Sequence, residues 1–165
     1  MKIKSEIVLL VGNIGSGKTT LVKRILSRGF SHVVISRDAL RYMIGAGRYR
    51  FDPNIESAIW DSELSIVKIF MNLKQNLIID EIGMSKSMRK RYVDLAKEFD
   101  YDVTVIELPK FSKRVSVNHR MKDPHQCPDR KLWEGVWEKF DKLYERPVKS
   151  EGFAKIIRRK SNGKT

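Results

Sequence analysis

The chain has 165 residues, 41% of them hydrophobic, which excludes a disordered segment and allows one domain with a sizeable core. Lys and Arg number 33 against 20 Asp and Glu, and a formal charge of +13 favours a polyanionic partner, nucleic acid, over a small neutral one. The single cysteine, Cys127, excludes an internal disulfide framework and fits a reducing, cytoplasmic setting, and no apolar run approaches the ~20 residues needed to span a bilayer.

Residues 7–11 form an apolar, β-branched run suited to a buried strand, and helical spacing at Leu21, Ile25 and Leu26 predicts a helix over 20–26. Between them Gly12, Asn13, Ile14, Gly15, Ser16, Gly17, Lys18 and Thr19 fit the phosphate-cradling pattern GxxxxGK[ST], with Thr20 continuing into the helix. Glycine lets successive amides converge on phosphate oxygens at the positive end of the helix dipole. Lys18 adds charge for the β and γ phosphates of ATP, and the Thr19 hydroxyl suits Mg²⁺. The plain alternative is a glycine-rich turn with a chance Gly-Lys-Thr.

A second strand is expected over 33–36, and Asp38 just beyond it should face the crevice that the phosphate loop faces. A carboxylate there can take the proton of an acceptor hydroxyl, or it can cap a helix N-terminus. Arg41, one turn later, can hold a phosphate on the acceptor. Arg48, Tyr49, Arg50 and Phe51 interleave cations and aromatics as a strand-binding loop would, although loop solubility with one buried aromatic gives the same pattern.

The positions 55, 59, 66, 70 and 73 share a helical face, predicting a helix over 55–73. The strand expected at 77–80 ends on Asp80 and Glu81; Asp80 is a candidate Mg²⁺ ligand through water, or a partner of Thr19, or a turn cap. A helix over 87–99 follows, in which Lys86, Arg89, Lys90 and Arg91 form a phosphate track or a solvated face. After a strand at 103–108, a strongly amphipathic helix is expected over 129–144, with Asp129 as N-cap and with Trp133 and Trp137 as core residues or base-stacking platforms. A last strand at 153–157 precedes a mobile basic tail, 158–165. His119, His125 and Cys127 match no standard zinc spacing. The pattern is α/β: a P-loop NTPase fold with a parallel sheet of about five strands flanked by helices, in a single domain over 1–157. No feature of it sets an oligomeric state.

Residues 11–20 and the stretch 36–41 with its RDxxR element make the chain similar to the P-loop polynucleotide 5′-hydroxyl kinases, notably the kinase domain of the bacteriophage enzyme, with weaker agreement across 6–147. The resemblance implies transfer of the ATP γ-phosphate to the 5′-hydroxyl of DNA or RNA, in a nucleic-acid repair setting. It makes Lys18 and Thr19 the phosphate and Mg²⁺ residues, Asp38 the general base, and Arg37 and Arg41 acceptor ligands. It also implies a helical lid over about 111–130, from which Arg120, favoured over Arg114, reaches the donor phosphates; the lid spacing departs from the family's, and either arginine could be a solvated helix residue. No DxDx[TV] phosphatase signature is present, so only the kinase reaction carries over. Two other readings stand: a kinase of a nucleotide, other small molecule or modified-base hydroxyl, and a non-catalytic nucleic-acid-binding protein that responds to ATP.

Overall fold

A computed structural model describes residues 4–123 and 129–160. The strands are β1 (Glu6–Val11), β2 (Val33–Ile35), β3 (Leu77–Ile79), β4 (Asp102–Glu107) and β5 (Lys155–Arg158). The α-helices are α1 (Lys18–Leu26), α2 (Arg37–Ile44), α3 (Glu56–Asn72), α4 (Lys86–Phe99), α5 (Lys113–Met121) and α6 (Arg130–Lys142). The strands form one sheet in the order β2-β3-β1-β4-β5, every pairing parallel, with Leu9 opposite both Ile79 and Val105.

Successive strand side chains leave opposite faces, and both faces are covered, so the central strands are apolar throughout. One face sets Ile7, Leu9, Val11, Ile79 and Val105 against Val67 and Met71 of α3 and Tyr92 and Val93 of α4. The other sets Val8, Leu10, Ile78 and Ile106 against Leu21 and Val22 of α1. A third cluster, Ile14 with Val117 of α5 and Trp133 of α6, joins the phosphate loop to the two helices after β4.

Several expected bounds shift for local reasons. β2 stops before Ser36 because that hydroxyl caps α2, accepting from the Ala39 amide. β5 runs on to Arg158, assigned above to the tail; its guanidinium meets Glu107 at 3.1 Å and donates to the Pro147 carbonyl. The buried line of α3 is Ile59, Glu63, Val67 and Met71, while Leu73 is exposed. The expected stripe is rotated because a carboxylate occupies a core position, where Tyr92 donates to Glu63 Oε1 at 2.7 Å. Asp129 caps α6 as expected, and Trp133 is buried beneath the loop. His125, Cys127 and residues 161–165 of the expected tail lie outside the described residues. Among the described residues no His, Cys, Asp and Glu cluster is fit to hold a metal by itself, and no helix is long and apolar enough to cross a membrane.

Candidate active site

Three adjacent strands, β2, β3 and β1, deliver their carboxyl ends to one edge, where a parallel α/β sheet receives ligands. The loop after β1 turns on Gly15 and Gly17, at φ +65° and +89°. Gly17 is the N-cap of α1 and offers no side chain to its amides, leaving the first turn open to an anion. Lys18 arches back over the loop, its Nζ donating to the carbonyls of Gly12 (2.8 Å) and Asn13 (2.9 Å). Burial draws its pKa down to about 8, with the charges of Asp80 and Asp38 opposing. Thr20 is exposed on α1.

Thr19 Oγ1 donates to Asp80 Oδ2 at 2.8 Å, which joins the helix start to the end of β3. Burial pushes the Asp80 carboxyl up, although the Thr19 hydrogen bond opposes this, so a cation beside it would relieve an unfavourable charge. One hydroxyl and one carboxylate oxygen fit Mg²⁺, which takes few protein ligands and completes its shell with phosphate oxygens and water.

Ser36 takes the cap, so Asp38 does not. Asp38 Oδ1 instead accepts from Arg41 Nη1 at 2.7 Å and Oδ2 from Arg120 Nη2 at 3.2 Å. Burial pushes its pKa up, but the two guanidiniums outweigh that and hold the carboxyl below its ordinary value. Arg41 is itself fixed by Glu56, accepting from Nε at 3.0 Å and from Nη2 at 2.6 Å. Three of its five N–H donors are so occupied, and the other two have no partner among the described residues. Arg120 reaches Asp38 from α5 while its guanidinium lies 4.6 Å from the centre of the Trp133 ring. Arg120 Nε is buried with no hydrogen-bond partner among the described residues. Arg114 sits on an exposed part of the same helix.

Arg37 is turned elsewhere. Its backbone N–H donates to Glu81 Oε1 at 2.6 Å, its Nη2 to Glu81 Oε2, and its Nε lies 3.4 Å from Glu63. Its guanidinium stands 3.4 Å from the centre of the Trp60 ring and that of Arg91 stands 3.9 Å from it. Two cations cannot share one face at those distances, so they sandwich the indole. Burial and the Glu81 charge raise the Glu63 pKa to about 7. Lys18, Thr19, Asp80, Asp38, Arg41 and Arg120 therefore converge, whereas Arg37 holds the start of α2 against the end of β3. Arg89 is neither track nor solvated: it is buried, paired with Glu151 and donating to the carbonyls of Gly83 and Met84.

Sequence reasoning missed Glu56, Trp60 and Glu63. Glu63 had a signal, since it falls four residues from both Ile59 and Val67 on the buried line. Glu56 had none, because only the fold brings it to Arg41.

The AAA domain family matches residues 7–147. The bifunctional polynucleotide phosphatase/kinase of Schizosaccharomyces pombe is 24% identical over 152 residues, which cover 92% of this chain and 32% of that protein. The chain thus spans about a third of the length of that curated relative. A structure of the Pnkp1/Rnl/Hen1 RNA repair complex superposes with a TM-score of 0.68 at 18% identity, covering 87% of this chain and 46% of the other. The Mycobacterium tuberculosis APS kinase in complex with AMPPNP and APS gives 0.58 at 15% identity, covering 94% of this chain and 88% of that one. These likenesses agree with the parallel sheet in giving a kinase-like P-loop fold, and the resemblance to polynucleotide kinases recurs in the curated relative. Since the match runs from the first core strand past the last helix, the chain belongs to the AAA domain family.

Proposed function

We propose that the protein transfers the γ-phosphoryl group of ATP to the 5′-hydroxyl of a DNA or RNA strand. The observation that carries this reading is the Asp38 carboxylate, ionised between Arg41 and Arg120 and coupled electrostatically to Lys18. An acceptor hydroxyl donating to Asp38 has its lone pair free to attack phosphorus. The new O–P bond forms as the bond to the β-phosphate oxygen breaks, and the proton passes to Asp38. Lys18 lies against the donor phosphates, and Arg120, whose Nε has no hydrogen-bond partner among the described residues, offsets charge on the transferring group. Arg41 offers its two remaining N–H groups to the phosphate on the acceptor's 3′ side. Thr19, and Asp80 through water, would hold Mg²⁺, which would supply charge neutralisation at the donor phosphates.

Support for a polynucleotide acceptor comes from the +13 charge and from relatives described as a polynucleotide phosphatase/kinase and an RNA repair complex. The competing reading, a small-molecule hydroxyl, draws on the APS kinase, whose chain is covered over 88% of its length. Labelled ATP, incubated with matched 5′-hydroxyl and 5′-phosphoryl oligonucleotides and with free nucleosides, separates the two. Label is expected on the 5′-hydroxyl oligonucleotide alone. Equal labelling of nucleosides would favour the small-molecule reading, and ATP binding without transfer would leave a nucleic-acid-binding protein.

A further inference from the structure

The connection between α2 and α3 displays an aromatic ring near Arg41, the residue that bonds Asp38, and the mechanism above leaves that ring unused. Phe51 is 60% exposed, and Met43 (69%) and Ile44 (36%) are exposed in the same stretch of chain. This is not slack structure. Gly47 donates to the Tyr42 carbonyl, Arg48 to that of Gly45 and Ile55 to that of Asp52. Tyr49 turns inward and packs edge-on to Tyr42 and Trp133, with ring centres 5.6 and 6.4 Å apart. A fixed loop therefore holds Phe51 in water, where the ring gains little from packing.

The surroundings specify what would cover it. The Arg41 guanidinium lies 5.8 Å from the centre of the Phe51 ring and 5.9 Å from that of Tyr49, and the same guanidinium holds Asp38. Arg48 and Arg50, just before Phe51 in the chain, are exposed, and the sole carboxylate in 45–55 is Asp52, already bonded to the Asn54 amide and 3.5 Å from Arg50. An apolar protein surface would leave those cations unmatched, whereas a single strand presents both phosphates and flat π faces. A base inside a duplex has both faces covered by its neighbours and a terminal pair leaves only its outer face open, whereas an unpaired end can present successive bases to a ring.

We propose that Phe51 is a stacking platform for a nucleobase near the 5′ end of an unpaired acceptor strand, with Arg48 and Arg50 receiving the strand's phosphates. The proposal rests on the polynucleotide reading and narrows it to unpaired ends that carry bases. Base–aromatic stacking is sequence-tolerant and weakens binding by roughly tenfold or more when the ring is removed.

The test compares the wild type, Phe51→Ala and Phe51→Trp on 5′-hydroxyl oligonucleotides that are intact or abasic at their first two positions. Wild type is expected to have an acceptor KM about tenfold lower for the intact strand. Phe51→Ala should raise that KM to the abasic value and close the gap, and Phe51→Trp should preserve it, with ATP affinity alike in all three. An equal rise on intact and abasic strands, or no rise, would overturn the proposal, since the ring would then only support its loop. Fluorescence anisotropy with the same oligonucleotides reads the surface without turnover. Base-dependent binding lost in Phe51→Ala, with no transfer by any variant, would keep the surface and sink the kinase reading; transfer with no dependence on bases would do the reverse.

Discussion

Burial strips water from the Lys18 ammonium, and the two loop carbonyls that it meets do not make up the loss, so its pKa falls to about 8 from 10.5. The unfolded chain then holds more protons than the folded one between pH 8 and 10.5, so this group adds stability as pH rises through that window. Triphosphate oxygens would reverse the preference for the neutral form. Near pH 9, ATP binding should take up about one proton, visible by calorimetry in buffers of different ionisation enthalpy. Lys18→Met should abolish the uptake, and an undiminished signal would place the proton elsewhere. Asp38 has the opposite disposition: its lowered pKa keeps it ionised across neutral pH, and its contribution to folding is lost only as pH falls through that lowered value. Asp38→Asn removes proton acceptance but no helix cap, because Ser36 is the cap. We expect ATP to bind and transfer to fall by ~10² or more, and a normal kcat would remove Asp38 as the base. Of these residues, Lys18 and Asp38 were legible from motif and strand end, whereas the direction in which Arg37 points depends on Glu81 and Trp60, which no spacing links to it.

Between the elements, the most committed contact is Arg89 on α4. It is almost wholly buried, forms a two-pronged pair with Glu151 at 2.8 and 2.9 Å, and ties the turn before β5 to the chain leaving β3. Removing one partner of such a pair leaves an uncompensated charge, so Glu151→Ala should cost about 3–5 kcal/mol in urea unfolding. Arg89→Met added to it should recover part of the loss; if the double variant is less stable than the single, the pair is not the cause. A second junction joins the phosphate loop to α5, where a Cβ on Gly15 would lie 2.2 Å from the Ser116 carbonyl oxygen. His119 adds a 2.9 Å hydrogen bond to the Gly15 carbonyl. Gly15→Ala should therefore weaken ATP binding and lower the melting temperature together, and a change in one alone would separate loop from helix. The five strands and most helices could be read from period and β-branching. The rotated stripe of α3 could not, because burying Glu63 depends on Tyr92 and Arg37 from other elements.

Across the whole molecule, +13 on 165 residues makes attraction to a strand sensitive to salt. If a polynucleotide is the acceptor, log KM should rise with log salt by about 0.7 for each phosphate neutralised, while nucleoside acceptors show no such slope. Arg41→Ala should flatten the slope by about one contact and also lower kcat, since Arg41 holds Asp38. A salt-independent KM for oligonucleotides would contradict the polyanion argument drawn from composition. Sheet order could not be read in this way: parallel crossovers were expected, but the position of β3 between β2 and β1, which lets Asp80 meet Thr19, is a property of the assembled sheet. Ile14 adds a constraint of a different kind. Its backbone belongs to the phosphate loop, yet its side chain shares a buried cluster with Val117 and Trp133, more than a hundred positions onward. The loop is thus not a portable cassette. Transplanted as residues 12–19 into another scaffold, it would carry an isoleucine cut to fit walls that stayed behind, so a working chimera must exchange α5 and α6 along with it.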